Sequence, residues 1–175
     1  MSFYQSIIEL IDMRSFSNLW FWIALAVMWS TASHWVLGVP FDLVQRARRH
    51  GGQAEQDLED LVRIHTGRML YIAGVSGLWL LGLACFLLTT LALLGFVYSL
   101  EIAQAVFLLA LPMSIVGLLS ISTARLIQTE GAEGELLRKR LTRHRLHVQL
   151  LGMVSIFLTA LWGMYQNLTI GVLGG

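Results

Sequence analysis

Four long stretches of this chain carry no Asp, Glu, Lys or Arg: residues 15–41, 69–100, 102–124 and 146–175. A helix rises about 1.5 Å per residue, so about 20 apolar residues cross a hydrocarbon core of about 30 Å. Each stretch holds one such helix, and none comfortably holds two. The pattern predicts an all-α membrane protein, a four-transmembrane-helix bundle forming a single domain over residues 1–175. The spans are expected at about 18–38, 69–95, 102–124 and 146–166.

The segments between them also read as helices. In residues 1–14, Phe3, Ile7, Leu10 and Ile11 recur at helical spacing opposite Gln5, Glu9 and Asp12, the mark of an N-terminal amphipathic helix. Pro40 can open a helical turn at Phe41, and that helix runs through Arg46, Arg48, Arg49 and His50 to the break at Gly51-Gly52. A further helix starts near Ala54, its acidic first turns suiting the positive end of the helix dipole, and continues into the second span. Phe96–Leu100 reads as a tight turn, and Pro112 as a kink in the third span. After the break at Gly131 and Gly134, a basic helix runs unbroken into the fourth span.

Composition supports this picture and charge orients it. Of the 175 residues, 56% are apolar and 13% charged, about half the charge of a soluble domain. The net charge of +1 conceals a strong local asymmetry. The segment 39–68 holds Arg46, Arg48, Arg49, Arg63 and Arg68; the segment 125–145 holds Arg125, Arg138, Lys139, Arg140, Arg143 and Arg145. Those eleven leave one basic residue, Arg14, elsewhere. The positive-inside rule makes both segments cytoplasmic loops, with N-out and C-out ends, in a bacterial cell inner membrane. The first stretch is not expected to be a cleaved signal peptide, because Glu9 and Asp12 outweigh Arg14 ahead of it.

Chemistry is sparse. No mid-span position is charged, which argues against a proton or ion path. No G-x-S-x-G, H-E-x-x-H or Walker loop is present, so no catalytic residue is assigned and the protein is expected not to be an enzyme. Cys85 stands alone, without partners for a disulfide, zinc or a cluster, so no metal site is assigned, and it is expected to be a buried packing residue. Among the histidines, His34 and His147 are the best pair for a b-type haem, or for a quinone or similar redox role. Their ordinary reading is interfacial side chains among arginines. Arg68, Arg125, Arg143 and Arg145 flank the spans and are candidates to face anionic lipid or a protein partner, although setting topology explains them too. Gly152, Ser155, Thr159 and Gly163 form a small-residue stripe in span four, and Gly77 belongs to another in span two, as for close helix packing. Membrane lipids and other inner-membrane subunits are the expected partners, and nucleic acid is not. The leading expectation is a non-enzymatic accessory or assembly subunit of a larger membrane complex, with a haem- or quinone-binding redox subunit as the alternative.

Three runs are distinctive: Glu-Leu-Ile-Asp-Met-Arg-Ser-Phe-Ser-Asn-Leu-Trp at 9–20, Trp-Ser-Thr-Ala-Ser-His-Trp-Val-Leu-Gly-Val-Pro at 29–40, and Arg-Ala-Arg-Arg-His-Gly-Gly at 46–52. With them the chain resembles a family of small alphaproteobacterial inner-membrane proteins often labelled "component of SufBCD complex". The resemblance covers most of the chain and is strongest in its first third. It implies a membrane partner of an iron–sulfur assembly machine, and it brings no active site to carry over.

Overall fold

A computed structural model describes residues 16 and 18–173. The amphipathic helix expected over 1–14 lies outside the described residues. Five α-helices account for most of the rest. They are α1 (Leu19–His34), α2 (Phe41–His50), α3 (Gln53–Ala92), α4 (Glu101–Glu130) and α5 (Gly134–Leu173).

Three helices, not four, are long and apolar enough to cross a membrane: Gln53–Val97, Glu101–Glu130 and Gly134–Thr169. The chain is thus a helical, multi-pass membrane protein. The span expected at 18–38 is the one that falls short. Asn18 caps α1, its Oδ1 accepting from Trp20 N at 3.0 Å. Sixteen residues later the helix stops at His34, having risen only about 24 Å. The chain then folds into a two-residue hairpin, β1 (Trp35–Val36) against β2 (Val39–Pro40), with Val36 opposite Val39. Leu37 and Gly38 form its turn, with φ of 52° and 79°. Positive φ costs a leucine about 1–2 kcal/mol. Burial of Leu37 at 3% exposure offsets that by about 1.5–3 kcal/mol. Val36, Leu37 and Val39 are apolar because they enter a protein core rather than lipid, while Trp35 stays exposed.

That core belongs to a helical cap. Val36, Leu37 and Val39 of the hairpin meet Val44 and Ala47 of α2, Leu58 and Val62 of α3, Ile127 of α4, and Leu137 and Leu141 of α5. The segments expected as cytoplasmic loops are therefore one packed unit, continuous with the long helices. α2 begins after Pro40 and ends at Gly51, with Arg48, Arg49 and His50 in its last turn, as its sequence suggests. α3 starts after Gly52. Its first four turns serve the cap and the remainder runs on as an apolar helix of 40 residues in all.

Beyond the cap, α3, α4 and α5 stand side by side. α4 runs through Pro112 without a break, and Pro112 is buried. A π-helical turn at Leu93–Val97 ends α3. A second apolar cluster, Leu25, Trp29 and Val148 with Leu109, Met113 and Leu151, fastens α1 to α4 and α5. α1 runs antiparallel to α5. Phe16 and Trp22 lie at Gly163, Trp29 lies at Gly152, and the Ser33 carbonyl accepts from Arg145 Nε at 3.1 Å. This short helix therefore sits at the same depth as the apolar half of α5.

Candidate functional site

The cap gathers the cations, and neighbouring carboxylates neutralise some of them. Arg138 pairs with Glu55 across α5 and α3, both partly buried. Arg140 makes a two-pronged contact to Glu130, at 2.6 and 2.9 Å. Glu59 accepts from the backbone N of Gly134 at 2.7 Å and so holds the start of α5 to α3. The exposed pairs Arg63–Asp60 and Lys139–Glu135 lie within single helices and contribute little. Of the four arginines expected to face lipid or a partner, Arg68, Arg125 and Arg143 are exposed. Arg145 departs from that expectation. Its guanidinium carbon lies 4.0 Å from the centroid of the Phe41 ring while Nε binds Ser33. It joins α1, α2 and α5, because its aliphatic stem packs while its head finds an acceptor and an aromatic face.

A groove of about 530 Å³ runs between α2 and α5, lined by Phe41, Val44, Arg48, Arg143, Leu146 and their neighbours. A second cavity, of about 450 Å³, lies between α3, α4 and the α4–α5 turn and has acidic walls at Glu59, Asp60 and Glu133. Among the described residues, no group of three or more His, Cys, Asp or Glu side chains is placed to hold a metal ion.

The histidines separate into two kinds. His34 is exposed at the end of α1, edge-on to Trp35, and His147 is exposed on α5. Neither lines the groove or the cavity described above. The buried histidine is His144, at 3% exposure. Ser120 Oγ donates to Val116 O at 2.8 Å, so it accepts from His144 Nε2 at 3.4 Å. Thr123 Oγ1 then donates to Nδ1 at 3.0 Å. Both ring nitrogens are satisfied in one neutral tautomer, which makes His144 a polar rivet between α4 and α5. The spacing of His144 and His147 on one helical repeat does not reveal which of them turns inward; only the position of α4 does.

The small residues of span four face inward: Gly152, Ser155, Thr159 and Gly163 are all buried. A Cβ on Gly152 would lie 2.8 Å from the Trp29 ring, so glycine is what lets α1 approach. Gly77 departs from the expectation of close packing within the bundle. A Cβ there would meet nothing within 4 Å, and the same holds at Gly67, Gly74 and Gly82. Gly67, Gly74, Leu78 and Cys85 follow one stripe of α3, with Gly77 and Gly82 at its margins. Cys85 is exposed, not buried as expected. Only 6% of the most apolar window of α3 is buried, against 28% for α5.

At the end opposite the cap, sequence reasoning missed a polar hub. Gln104, 3% exposed, donates from Nε2 to Gly95 O at 2.7 Å and accepts at Oε1 from Trp162 and Gln166. The π-turn makes this contact available: Leu100 N bonds to Leu94 O rather than to Gly95 O, leaving that carbonyl for Gln104. Beside the hub, Glu101 accepts from Phe16 N at 2.8 Å, and Trp22 donates to Phe16 O at 2.9 Å. A lone Gln at the third position of the charge-free run 102–124 was the available signal.

Comparison with known proteins adds no relative: no family model matches the chain, and neither the curated proteins nor the solved structures contain a match.

Proposed function

We propose that this protein is a non-enzymatic accessory or assembly subunit of a larger inner-membrane complex, joined to it along the open face of α3. The observation that carries this reading is the set of four glycines on α3 that no described residue of the chain approaches. Glycine in a helix costs about 0.8–1 kcal/mol relative to alanine. That cost is normally offset by close helix approach, since lipid gives no hydrophobic drive for association. Within this chain, Gly152 and Gly163 have such neighbours and the glycines of α3 do not. Large side chains frame the same helix: Leu78 and Trp79 are 85% and 84% exposed. A transmembrane helix of a neighbouring subunit fits that mixture of small and bulky residues.

In the orientation proposed here, the basic cap lies in the cytoplasm. Residue 16 lies outside beside the α3–α4 turn, and α5 ends on that outer side. The contact of Phe16 with Glu101 supports this arrangement, as does the gathering of cations in the cap. The resemblance noted above suggests an iron–sulfur assembly machine as the associated complex. The role proposed is attachment and not cluster carriage, since Cys85 has no fellow ligands among the described residues.

The experiment is native-gel migration and crosslinking from native membranes, comparing the natural chain with Gly74→Leu/Gly77→Leu. The natural chain should migrate in a heteromeric complex. The double variant should migrate free while keeping its own thermal stability, because both positions face open space. A natural chain that migrates alone at native expression levels overturns the proposal.

A further inference from the structure

We propose that the groove between α2 and α5 binds the phosphate headgroup of an anionic phospholipid, with Arg48 and Arg143 as the cations that hold it. Both arginines line the groove, and neither enters a salt bridge or hydrogen bond with another described residue of the chain. The other cations there are neutralised: Arg138 by Glu55 and Lys139 by Glu135. Glu135 lines the groove too and lies within electrostatic reach of Arg48, but it already pairs with Lys139, so the net charge left over is positive and is carried by Arg48 and Arg143 on separate helices. Guanidinium matches the planar, bidentate geometry of phosphate oxygens. Gln45 adds an amide to the same wall.

Phe41, Val44 and Leu146 give the groove an apolar wall as well. Leu146 is the first residue of the charge-free run that continues to the end of α5. The groove therefore joins cationic cap to apolar helix where a bilayer changes from headgroup to acyl chain. A phospholipid has that sequence of polarity along its own length, and a soluble phosphate has only the first part. The floor is also held in shape. Arg145 of α5 holds α2 through Phe41 and α1 through Ser33, and the Arg138–Glu55 pair fixes α5 against α3.

The test uses the full-length protein in nanodiscs of phosphatidylcholine containing graded phosphatidylglycerol. Lipid retained after detergent extraction is counted by native mass spectrometry. Arg48→Gln/Arg143→Gln is compared with Arg46→Gln/Arg49→Gln, which removes the same charge from exposed positions of α2 outside the groove. Loss of both bidentate contacts should lower phosphatidylglycerol affinity on the order of 30-fold relative to the control pair, beyond what any two surface cations contribute. The expected result is that loss for the groove variant alone, with unchanged elution on size exclusion. Equal losses in the two variants, or equal retention of phosphatidylcholine and phosphatidylglycerol, overturn the proposal. So does full displacement by millimolar inorganic phosphate, which would mark a free-phosphate site.

Discussion

Replacing Gln104 tests how the helices are held at the end away from the cap. Its amide makes three hydrogen bonds: to Gly95 O at 2.7 Å, from Trp162 Nε1 at 3.0 Å and from Gln166 Nε2 at 2.6 Å. Together they tie the π-turn after α3 to α4 and α5. Gln104→Met keeps the length and bulk of the side chain and removes all three. Hydrogen bonds between membrane helices are worth about 0.6 kcal/mol on average and about 1.7 at most. The loss is therefore about 2–5 kcal/mol. For a chain of this length, each kcal/mol moves Tm by about 2–4 °C, so the fall should be about 4–20 °C. Gln104→Glu is the sharper control. Its carboxylate still accepts from Trp162 and Gln166, but it faces the Gly95 carbonyl with an oxygen and no proton. It should be destabilised where the hub is dry, and should recover on protonation at low pH. The assay is thermal unfolding of purified protein in detergent, followed by size exclusion of the folded fraction. Gln104→Met melting within about 1 °C of the natural chain would refute the reasoning, because three buried groups cannot lose their partners without effect.

Two further outcomes follow from the packing. Alanine at Gly152 should lower Tm more than alanine at Gly163, since the new Cβ would meet Trp29 at 2.8 Å in the first case and Phe16 and Trp22 at 3.3 Å in the second; thermal melts of the two single variants decide it. In a Cys85→Ser background, cysteine introduced at Ser99 should react with an impermeant maleimide in intact spheroplasts, and cysteine at Arg49 only after lysis. The reverse pattern would invert the proposed orientation.

Much of the fold was legible in the sequence, and for definite reasons. Charge-free runs mark α3, α4 and α5 because lipid tolerates little else. Pro40, Gly51-Gly52 and the Gly131–Gly134 break mark the limits of α2, α3 and α5, because these residues suit or require backbone that helices lack. The helical character of the cap was equally visible in the charge bias of its helix ends. What the sequence could not distinguish was an apolar residue destined for lipid from one destined for a protein core. Trp35, Val36, Leu37 and Val39 extend the first apolar run without interruption. Only the packing of Leu58, Leu141 and Ile127 around them makes that segment a hairpin, leaving three long helices rather than four.

The same limit governs the individual residues. Composition alone placed the cations at one end, because the membrane rejects them elsewhere. Tertiary structure decided which were already matched: Arg145 is held by Ser33 and Phe41 and Arg138 by Glu55, while Arg48 and Arg143 form no salt bridge or hydrogen bond with another described residue. Glycine at helical spacing announced close approach on both α3 and α5. Trp29 lies against Gly152, and no described residue lies against Gly74 or Gly77. A small residue records only that space is needed. What fills the space is set by the neighbouring helix, which the sequence of one helix does not name.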